Sequence, residues 1–388
     1  MTDIIIVGGG LTGGTLACAL AEKGLAVALV DQIDPQKTAP SDGRSFALSR
    51  SSFNVLSKLG IWQTLDNVTP ITKIHTSDGV LPQWVEFDAE DVKGGSLGYV
   101  VDSALLKARI LEKVLSFKTI SMHAPCSVLR TERTDFEAVV ETDRGEILKA
   151  PLCIAADGRL SHLRTEAQIH LVKWSYDQVA IVCHMAHTLP HENRAFEHFL
   201  PWGPLAFVPR SGNESGLVWS VEKEKADVFM ALSPEDFATE IQTHFGDSLG
   251  TFTLSSERWS YPLSVCLPKR LIDTRLALVG DAAHMFHPVA GQGLNVGFRD
   301  VTILADVLSE AFSLGLDLGA SQVLKTYQKQ RRMDIISMTL LTDGMVRVFS
   351  HRSRTLARLR SLGFGIVKHI TPLRHFMIRR AMGVSGGQ

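Results

Sequence analysis

The sequence predicts an α/β protein with a parallel-sheet domain gathered from separated stretches of chain, a smaller β-rich domain and a C-terminal helical segment. Three observations predict it. Asp3–Val7, Leu152–Ala156 and Leu276–Val279 are short apolar runs, each leading into a turn rich in Gly or Asp. Runs this short, bounded by turn residues, read as buried parallel strands. Helical apolar spacing follows the first and last of them, over Leu11–Lys23 and from Leu294 onward. Between the second and third, Trp174–Val221 carries alternating or apolar runs at Val179–Met185, Leu205–Val208 and Leu217–Val221, broken by Pro, Gly and Asn. That pattern is β.

The first strand enters Gly8-Gly9-Gly10-Leu11-Thr12-Gly13-Gly14, a G-x-G-x-x-G at Gly8, Gly10 and Gly13 with the helix starting inside it. Gly24 ends that helix, and Leu25–Val30 forms a second strand closed by Asp31, 23 residues after Gly8. In a dinucleotide-binding unit the glycines let the backbone approach a pyrophosphate at the helix N-terminus, and an acid at this distance meets the ribose hydroxyls. A glycine turn alone is weak support. Here strand, loop, helix, second strand and acid occur in order. Ser103–Phe117 is expected as a crossover helix.

After Leu152–Ala156 come Asp157 and Gly158, by themselves an ordinary turn, with Ser161 and Arg164 spaced behind them. After Leu276–Val279 come Gly280 and Asp281, then HPVAGQGLNVGFRD over His287–Asp300. Pro288 and two glycines are expected to open a helix whose Leu294, Phe298, Val301, Ala305, Leu308 and Phe312 form one apolar face. Small residues at its start leave backbone N–H groups open to close approach. The partial positive charge there suits an anion or an electron-rich ring.

At 388 residues, with 45% hydrophobic and 21% charged residues, the chain can hold two cores and is ordinary for a globular protein. Cys18, Cys126, Cys153, Cys183 and Cys266 lack CxxC or metal-ligand spacing and mostly sit among apolar neighbours. They read as reduced core thiols of a cytosolic protein. No basic n-region with an apolar run precedes Gly8, so no signal peptide is expected. No apolar stretch approaches the roughly 18 residues of a membrane span. There is neither a Ser/His/Asp constellation nor His-rich metal spacing.

Net charge is −1, unevenly spread. Gly344–Gln388 holds nine Lys/Arg and no acid, which leaves 31 Lys/Arg against 41 Asp/Glu elsewhere. Arg347, His351, Arg354 and Arg358 fall on one helical face, with Phe349, Leu356, Leu359 and Leu362 as apolar surface. A basic amphipathic helix suits anionic lipid headgroups or an acidic partner. The plainer readings are neutralisation of the acidic body or a subunit interface. Nucleic acid is not an expected partner, because no binding module accompanies the charge.

Gly8/Gly10/Gly13, Asp157/Gly158/Ser161/Arg164 and Gly280/Asp281 together resemble the three motifs of the single-component FAD-dependent aromatic hydroxylases, the para-hydroxybenzoate hydroxylase superfamily. His287–Asp300, Arg44 with Ala47-Leu48, and Leu97–Val101 further resemble the ubiquinone-biosynthesis hydroxylases. The likeness spans about residues 1–345. It implies a Rossmann-like FAD-binding domain over 1–70, 98–170 and 272–345, a β-rich substrate domain over 71–97 and 171–271, and a basic helical segment over 346–388. It implies FAD as cofactor and dioxygen as co-substrate. NAD(P)H or a separate reductase would supply electrons, since no second nucleotide fold is present. The implied reaction is hydroxylation of a polyprenylated phenol in ubiquinone biosynthesis, through a flavin C4a-hydroperoxide.

The resemblance also distributes roles. Gly8, Gly10, Gly13 and Asp31 would hold the adenosine and diphosphate, and Arg44 would reach the diphosphate or nearby flavin atoms. Asp281, after Gly280, would accept hydrogen bonds from the ribitol chain. Asp157 would lie near the flavin and pyrophosphate, with a link to NAD(P)H use. Backbone N–H groups of Gly293, Leu294 and Asn295 would face the anionic edge of the reduced ring, and Pro288 would help shape a dry pocket beside it. No general base is identified. His284 and His287 read as packing or hydrogen-bonding residues, and His198 and Tyr261 as polar residues of the β-rich domain.

Rival readings stay open: an FAD hydroxylase of a soluble aromatic, or a non-catalytic flavoprotein subunit of a quinone-biosynthesis complex. A halogenase would carry a WxWxIP motif, which this sequence lacks. A double-bond reductase would work without oxygen. The expected location is the cytoplasm, with peripheral contact at the inner membrane surface and homo-oligomer formation both open.

Overall fold

The computed structural model describes residues 2–37, 42–78, 84–91 and 95–349, and beyond them Ile370, Pro372, His375, Ile378, Met382 and Gly383. In chain order, β1 (Ile4–Val7), α1 (Leu11–Glu22) and β2 (Val27–Val30) form the opening unit. Then come β3 (Ser45–Ser49), α2 (Arg50–Lys58), β4 (Thr69–Ile71), the pair β5 (Lys73–Asp78) and β6 (Trp84–Asp88), and β7 (Gly98–Asp102). The crossover helix α3 (Ser103–Ser116) leads to β8 (Ile120–His123). A small antiparallel sheet of β9 (Val128–Arg133), β10 (Ala138–Thr142) and β11 (Ile147–Ala150) precedes β12 (Leu152–Ala155) and the short α4 (His162–Glu166).

The next stretch is mostly strand: β13 (Leu171–His187), β14 (Arg194–Leu200), β15 (Gly203–Pro209) and β16 (Glu214–Glu222). Helices α5 (Lys223–Ala231) and α6 (Pro234–Phe245) follow, then β17 (Phe252–Leu254) and β18 (Trp259–Pro268). The chain closes with β19 (Ile272–Asp273), β20 (Leu276–Leu278) and two long helices, α7 (Gln292–Ser313) and α8 (Ser321–Phe349).

Two main sheets result. The first has the order β19-β20-β12-β1-β2-β8, parallel throughout except for the edge strand β19. Every residue of β1, β2, β12 and β20 is buried, as expected for strands covered on both faces. Burying Ile4, Ile5, Ile6 and Val7 of β1 is worth about 1.5–3 kcal/mol for each side chain. α1 and α7 meet where Gly297 faces Thr12; a Cβ on Gly297 would stand 3.0 Å from the Thr12 hydroxyl. α3 starts at a sequence-encoded cap, with the Asp102 carboxylate accepting from the N–H groups of Ala104 (2.9 Å) and Leu105 (3.2 Å).

The second sheet has the order β17-β13-β16-β15-β14-β5-β6, with β18 also paired to β13. Its two faces differ. Ile181, Cys183, Phe196, Phe207, Leu217 and Trp219 pack under α5 and α6 against Phe237, Ile241 and Phe245. The opposite face, carrying Ala180, Val182, Ala195, Val208 and Val218, turns toward β3 and the start of α7.

Some expectations need correction. Pro288 does not open the long helix: Val289–Gly291 form a separate 3-10 turn and α7 begins at Gln292. The cause is Gly291, which adopts a left-handed φ of +59° and resets the chain direction. Phe312, assigned to the apolar face, is 42% exposed near the helix end. All five cysteines are buried and free. No helix among the described residues is long and apolar enough to cross a membrane. Of the basic segment, Arg347 and Phe349 end α8, whereas His351, Arg354, Leu356, Arg358, Leu359 and Leu362 lie outside the described residues.

Candidate functional site

Loops from three distant parts of the chain meet at the C-terminal ends of the neighbouring strands β1, β12 and β20. This edge of a parallel sheet is where ligands of α/β folds bind. At the first loop, Gly8 has φ +105° and a Cβ there would lie 2.3 Å from the Ala156 carbonyl oxygen. A Cβ on Gly13 would lie 1.9 Å from the carbonyl of Gly8. Only glycine permits this close stacking of loop, helix and neighbouring strand. Gly10, by contrast, faces open space: nothing lies within 4 Å of where its Cβ would stand. It caps α1 without a side-chain bond, and no acid occupies the first turn. The helix therefore presents free N–H groups to whatever binds.

Asp31 ends β2 beside this loop. Its carboxylate accepts the N–H of Gly9 and that of Ile33 (2.7 Å), so it shapes the glycine loop as well as lining it.

The second loop explains the spacing Asp157, Ser161, Arg164. Ser161 caps α4 by accepting the Arg164 N–H at 3.0 Å. The Arg164 guanidinium, buried, then crosses to the third loop, donating to the carbonyls of Ala282 (2.8 Å) and Arg159 (3.0 Å). Asp157 accepts the Leu163 N–H through Oδ2 at 3.2 Å. Its Oδ1 is buried with no hydrogen-bond partner among the described residues. Buried polar atoms are seldom left so.

The third loop turns at Gly280, φ +58°, where a Cβ would lie 2.8 Å from the Thr12 hydroxyl. It is anchored from behind by a fully buried acid. Asp300 accepts from Gly280 N–H (2.9 Å) and His284 Nε2 (2.7 Å) on one oxygen and from Arg331 Nε (2.6 Å) on the other. Burial opposes ionisation of Asp300, but the charges of His284 and Arg331 outweigh it and hold the carboxyl down at about 2. Asp281 itself is exposed to the crevice. Protein surrounding the crevice pushes its carboxyl above the usual range, and His284, Arg44 and Arg159 pull against that.

At the start of α7, Gly291 caps the helix without a side chain and no acid occupies the first turn. Gln292, Gly293 and Leu294 hold the first three helical positions, whose N–H groups lack intrahelical acceptors. Asn295 is the fourth, where the helix takes up the N–H itself; the expected backbone role therefore passes to Gly293 and Leu294. The side chain of Asn295 acts instead. It accepts from Ser49 N–H (2.8 Å) and Ser52 Oγ (2.7 Å), and donates to the carbonyls of Ala47 (2.9 Å) and Gly291 (3.0 Å). It ties β3 and α2 to the helix start, a brace that only the three-dimensional structure reveals.

Arg44 lies at the margin. Its guanidinium is held by Asp42 (Nε to Oδ2, 2.8 Å) and rests over the rings of Phe46 and Tyr261. Tyr261 donates to the Asp42 carbonyl at 2.8 Å. His284 and His287 are buried hydrogen-bonding residues, the latter 3.2 Å from the Gln178 amide oxygen. His198 stacks on Phe245 at 4.7 Å on the α6 side of the second sheet, where burial pushes its pKa down to about 4. It does not face the loops.

On the face of the second sheet turned toward Val289, Thr76, Glu197, Ala206, Val208 and Val218 belong to central strands yet keep partly accessible side chains. Phe199 packs there with Val289 and Val346, and Ala195 with Ala47, Ile74 and Val208. The arrangement can hold a long dinucleotide across the three loops. An electron-rich ring would end at the two N–H groups of α7, with a small apolar molecule seated above it.

A family described as "FAD binding domain" matches residues 1–339. The chain is 41% identical over 387 residues to the ubiquinone hydroxylase UbiL of Rhodospirillum rubrum, covering 99% of this chain and 90% of that one. It is 32% identical over 388 residues to the 3-demethoxyubiquinol 3-hydroxylase of Escherichia coli, covering 99% of both. Among solved structures, p-nitrophenol 4-monooxygenase PnpA from Pseudomonas putida is similar in fold, with a TM-score of 0.81 at 16% identity over 98% of each chain.

Proposed function

The chain belongs to the FAD binding domain family, and from that premise we propose that it hydroxylates the aromatic ring of a polyprenylated phenol in ubiquinone biosynthesis. FAD, when bound and reduced, activates dioxygen and delivers one of its oxygen atoms to the ring. The unpartnered Asp157 oxygen, the open Gly10 and the uncapped starts of α1 and α7 fit that cofactor.

In this reading Gly8, Gly10 and Gly13 cradle the diphosphate at the N-terminus of α1, with Asp31 toward the ribose. Asp157 and Asp281 accept hydrogen bonds from the cofactor's hydroxyl-bearing chain. The N–H groups of Gly293 and Leu294 oppose the anionic edge of the reduced ring, in the manner of an oxyanion hole. Arg44 closes the outer side. Pro288 and Val289 exclude water at the ring face. NAD(P)H, bound transiently, or a separate reductase supplies the electrons.

The observation that carries the substrate reading is the partly uncovered apolar face of the second sheet on the Val289 side. Ala47, Ile74, Val208 and Val218, partly accessible there, suit a phenol ring bearing an apolar chain. Similarity to relatives named as ubiquinone hydroxylases supports it. On α8, Met333 (70% exposed) and Leu340 (68%) stand out from the body. With the basic segment that follows, they support peripheral contact with a membrane surface, where such a substrate resides.

The test is to purify the protein, record its flavin spectrum and supply a prenylated phenol with a reductant under labelled dioxygen. Label in a hydroxylated product is the expected result. A colourless protein that cannot be reconstituted with FAD would overturn the reading; FAD-loaded protein that never incorporates label would reduce it to a structural flavoprotein.

A further inference from the structure

The partly uncovered face of the second sheet carries one carboxylate without a partner among the described residues. Glu197 sits in the middle of β14, in phase with Ala195 and Phe199. Those two neighbours define its direction: Ala195 packs with Ala47 and Val208, and Phe199 with Val289. Across the sheet Glu197 stands between Thr76 on β5 and Ala206 on β15, both short side chains. Among the described residues no donor or cation reaches its carboxylate, and burial is the sole influence on its ionisation.

An acid so placed is costly to the fold, because a partly desolvated carboxylate without partners gains nothing from its neighbours. Its surroundings make it a useful one for a phenol. We propose that Glu197 receives the phenolic proton of the substrate as its ring is hydroxylated, and returns it when the ring regains aromaticity. This rests on the hydroxylase reading above.

Before reaction, the substrate O–H donates to a Glu197 carboxylate oxygen. As a ring carbon forms its bond to the transferred oxygen, the O–O bond of the activated dioxygen breaks and the phenolic proton passes to Glu197. The second oxygen leaves as water, with both electrons supplied by the reductant through the flavin. The ring carbon then loses its own hydrogen as a proton, which goes to the departing oxygen and completes that water. Glu197 gives its proton back to the substrate oxygen and ends unchanged. Removing the phenolic proton raises the electron density of the ring carbons at the moment of attack.

Burial supports the assignment. Desolvation alone pushes the Glu197 carboxyl up to about 8. That brings it closer to the value of about 10 for a phenol, and proton transfer between matched groups is the easier. Other titratable and charged groups on this side of the sheet are engaged. Tyr176 donates to Asp343 (2.7 Å), which also holds Arg347 (2.8 Å); His287 meets Gln178. Asp78, on the same face of β5, is buried and has its own partner. His75 and His198 lie on the opposite face.

The test compares FAD-loaded wild type, E197Q and E197L. Flavin content and melting temperature should match or exceed wild type, since an unpartnered acid is removed. Hydroxylated product should fall by about 10²–10⁴-fold, with consumed oxygen appearing as hydrogen peroxide. In wild type, kcat/KM should rise with pH through the region of 8 as Glu197 ionises; E197Q should lack that limb. A readout without turnover is the binding of a prenylated nitrophenol to oxidised enzyme, followed by phenolate absorbance. The bound probe should ionise at lower pH in wild type than in E197L, where no group shares its proton. If wild type hydroxylates but both variants do so equally, with an unchanged pH limb, the inference fails alone. If wild type binds FAD yet never hydroxylates, the inference falls with the reading beneath it.

Discussion

Replacing Asp300 by Asn probes how the third loop is held. The carboxylate is fully buried and satisfies three donors at 2.6–2.9 Å, among them the guanidinium of Arg331, itself 2% exposed. Asn keeps the shape but removes the charge and turns its NH2 toward one of those donors. Breaking a buried ion pair from one side costs about 3–5 kcal/mol. Arg331 retains Asp334 at 2.6 Å, so the low end, about 3 kcal/mol, is the expected loss. Urea unfolding of the apoprotein at pH 7 measures it. The sign with pH follows from the depressed carboxyl. Its contribution is full above the ordinary value of 3.8 and is lost as pH falls toward about 2. Wild type should therefore lose stability over that window more steeply than D300N. FAD affinity should also fall, because the Gly280 N–H loses its anchor. A D300L/R331M pair should recover much of the stability, since apolar replacements of buried pairs are often neutral. D300N unfolding within about 1 kcal/mol of wild type, with unchanged FAD affinity, would refute the reasoning, because the typical cost of such a break is larger.

Two glycines of one motif should behave differently. G13A forces a Cβ to 1.9 Å from a backbone oxygen and should lower both melting temperature and flavin content, whereas G10A meets no protein atom within 4 Å and should keep the melting temperature of the apoprotein while losing FAD affinity. For N295A, the buried Ser49 N–H and its companions lose their partner, at about 1–3 kcal/mol. Thermal unfolding should show that loss, and turnover should leak to hydrogen peroxide while FAD remains bound.

What the sequence disclosed was local. Gly8, Gly10, Gly13 and Asp31 follow one another along a single β-α-β unit, so their order alone carries the geometry. The pairing of Gly280 and Asp281 with a strand end is equally short-range. What it hid was long-range. Asn295 reaches Ser49 and Ala47 from the far end of the chain, and Arg164 finds the carbonyl of Ala282 only after the sheet assembles. Nothing in their local pattern distinguishes these polar side chains from exposed ones. In the β-rich stretch, strand periodicity separates Glu197 from His198 but not which of the two faces the Val289 side. His198 stands out along the chain because it is a histidine. The structure turns it beneath α6 and leaves its neighbour inward.

The meeting of three loops on one sheet edge has a consequence for biogenesis. The glycine loop is made first, yet the crevice it borders is completed only by the loop after β12 and by the Gly280 turn after β20, the last strand to be synthesised among the described residues. Until Leu276–Leu278 emerges, β12 has a fully apolar open edge, the kind of surface that aggregates or recruits chaperones. Capture of the dinucleotide is thus a late event on the ribosome's timescale. A flavin colour in the purified protein would then report that the chain had been made at least through the Gly280 turn and that this turn had met the N-terminal glycine loop.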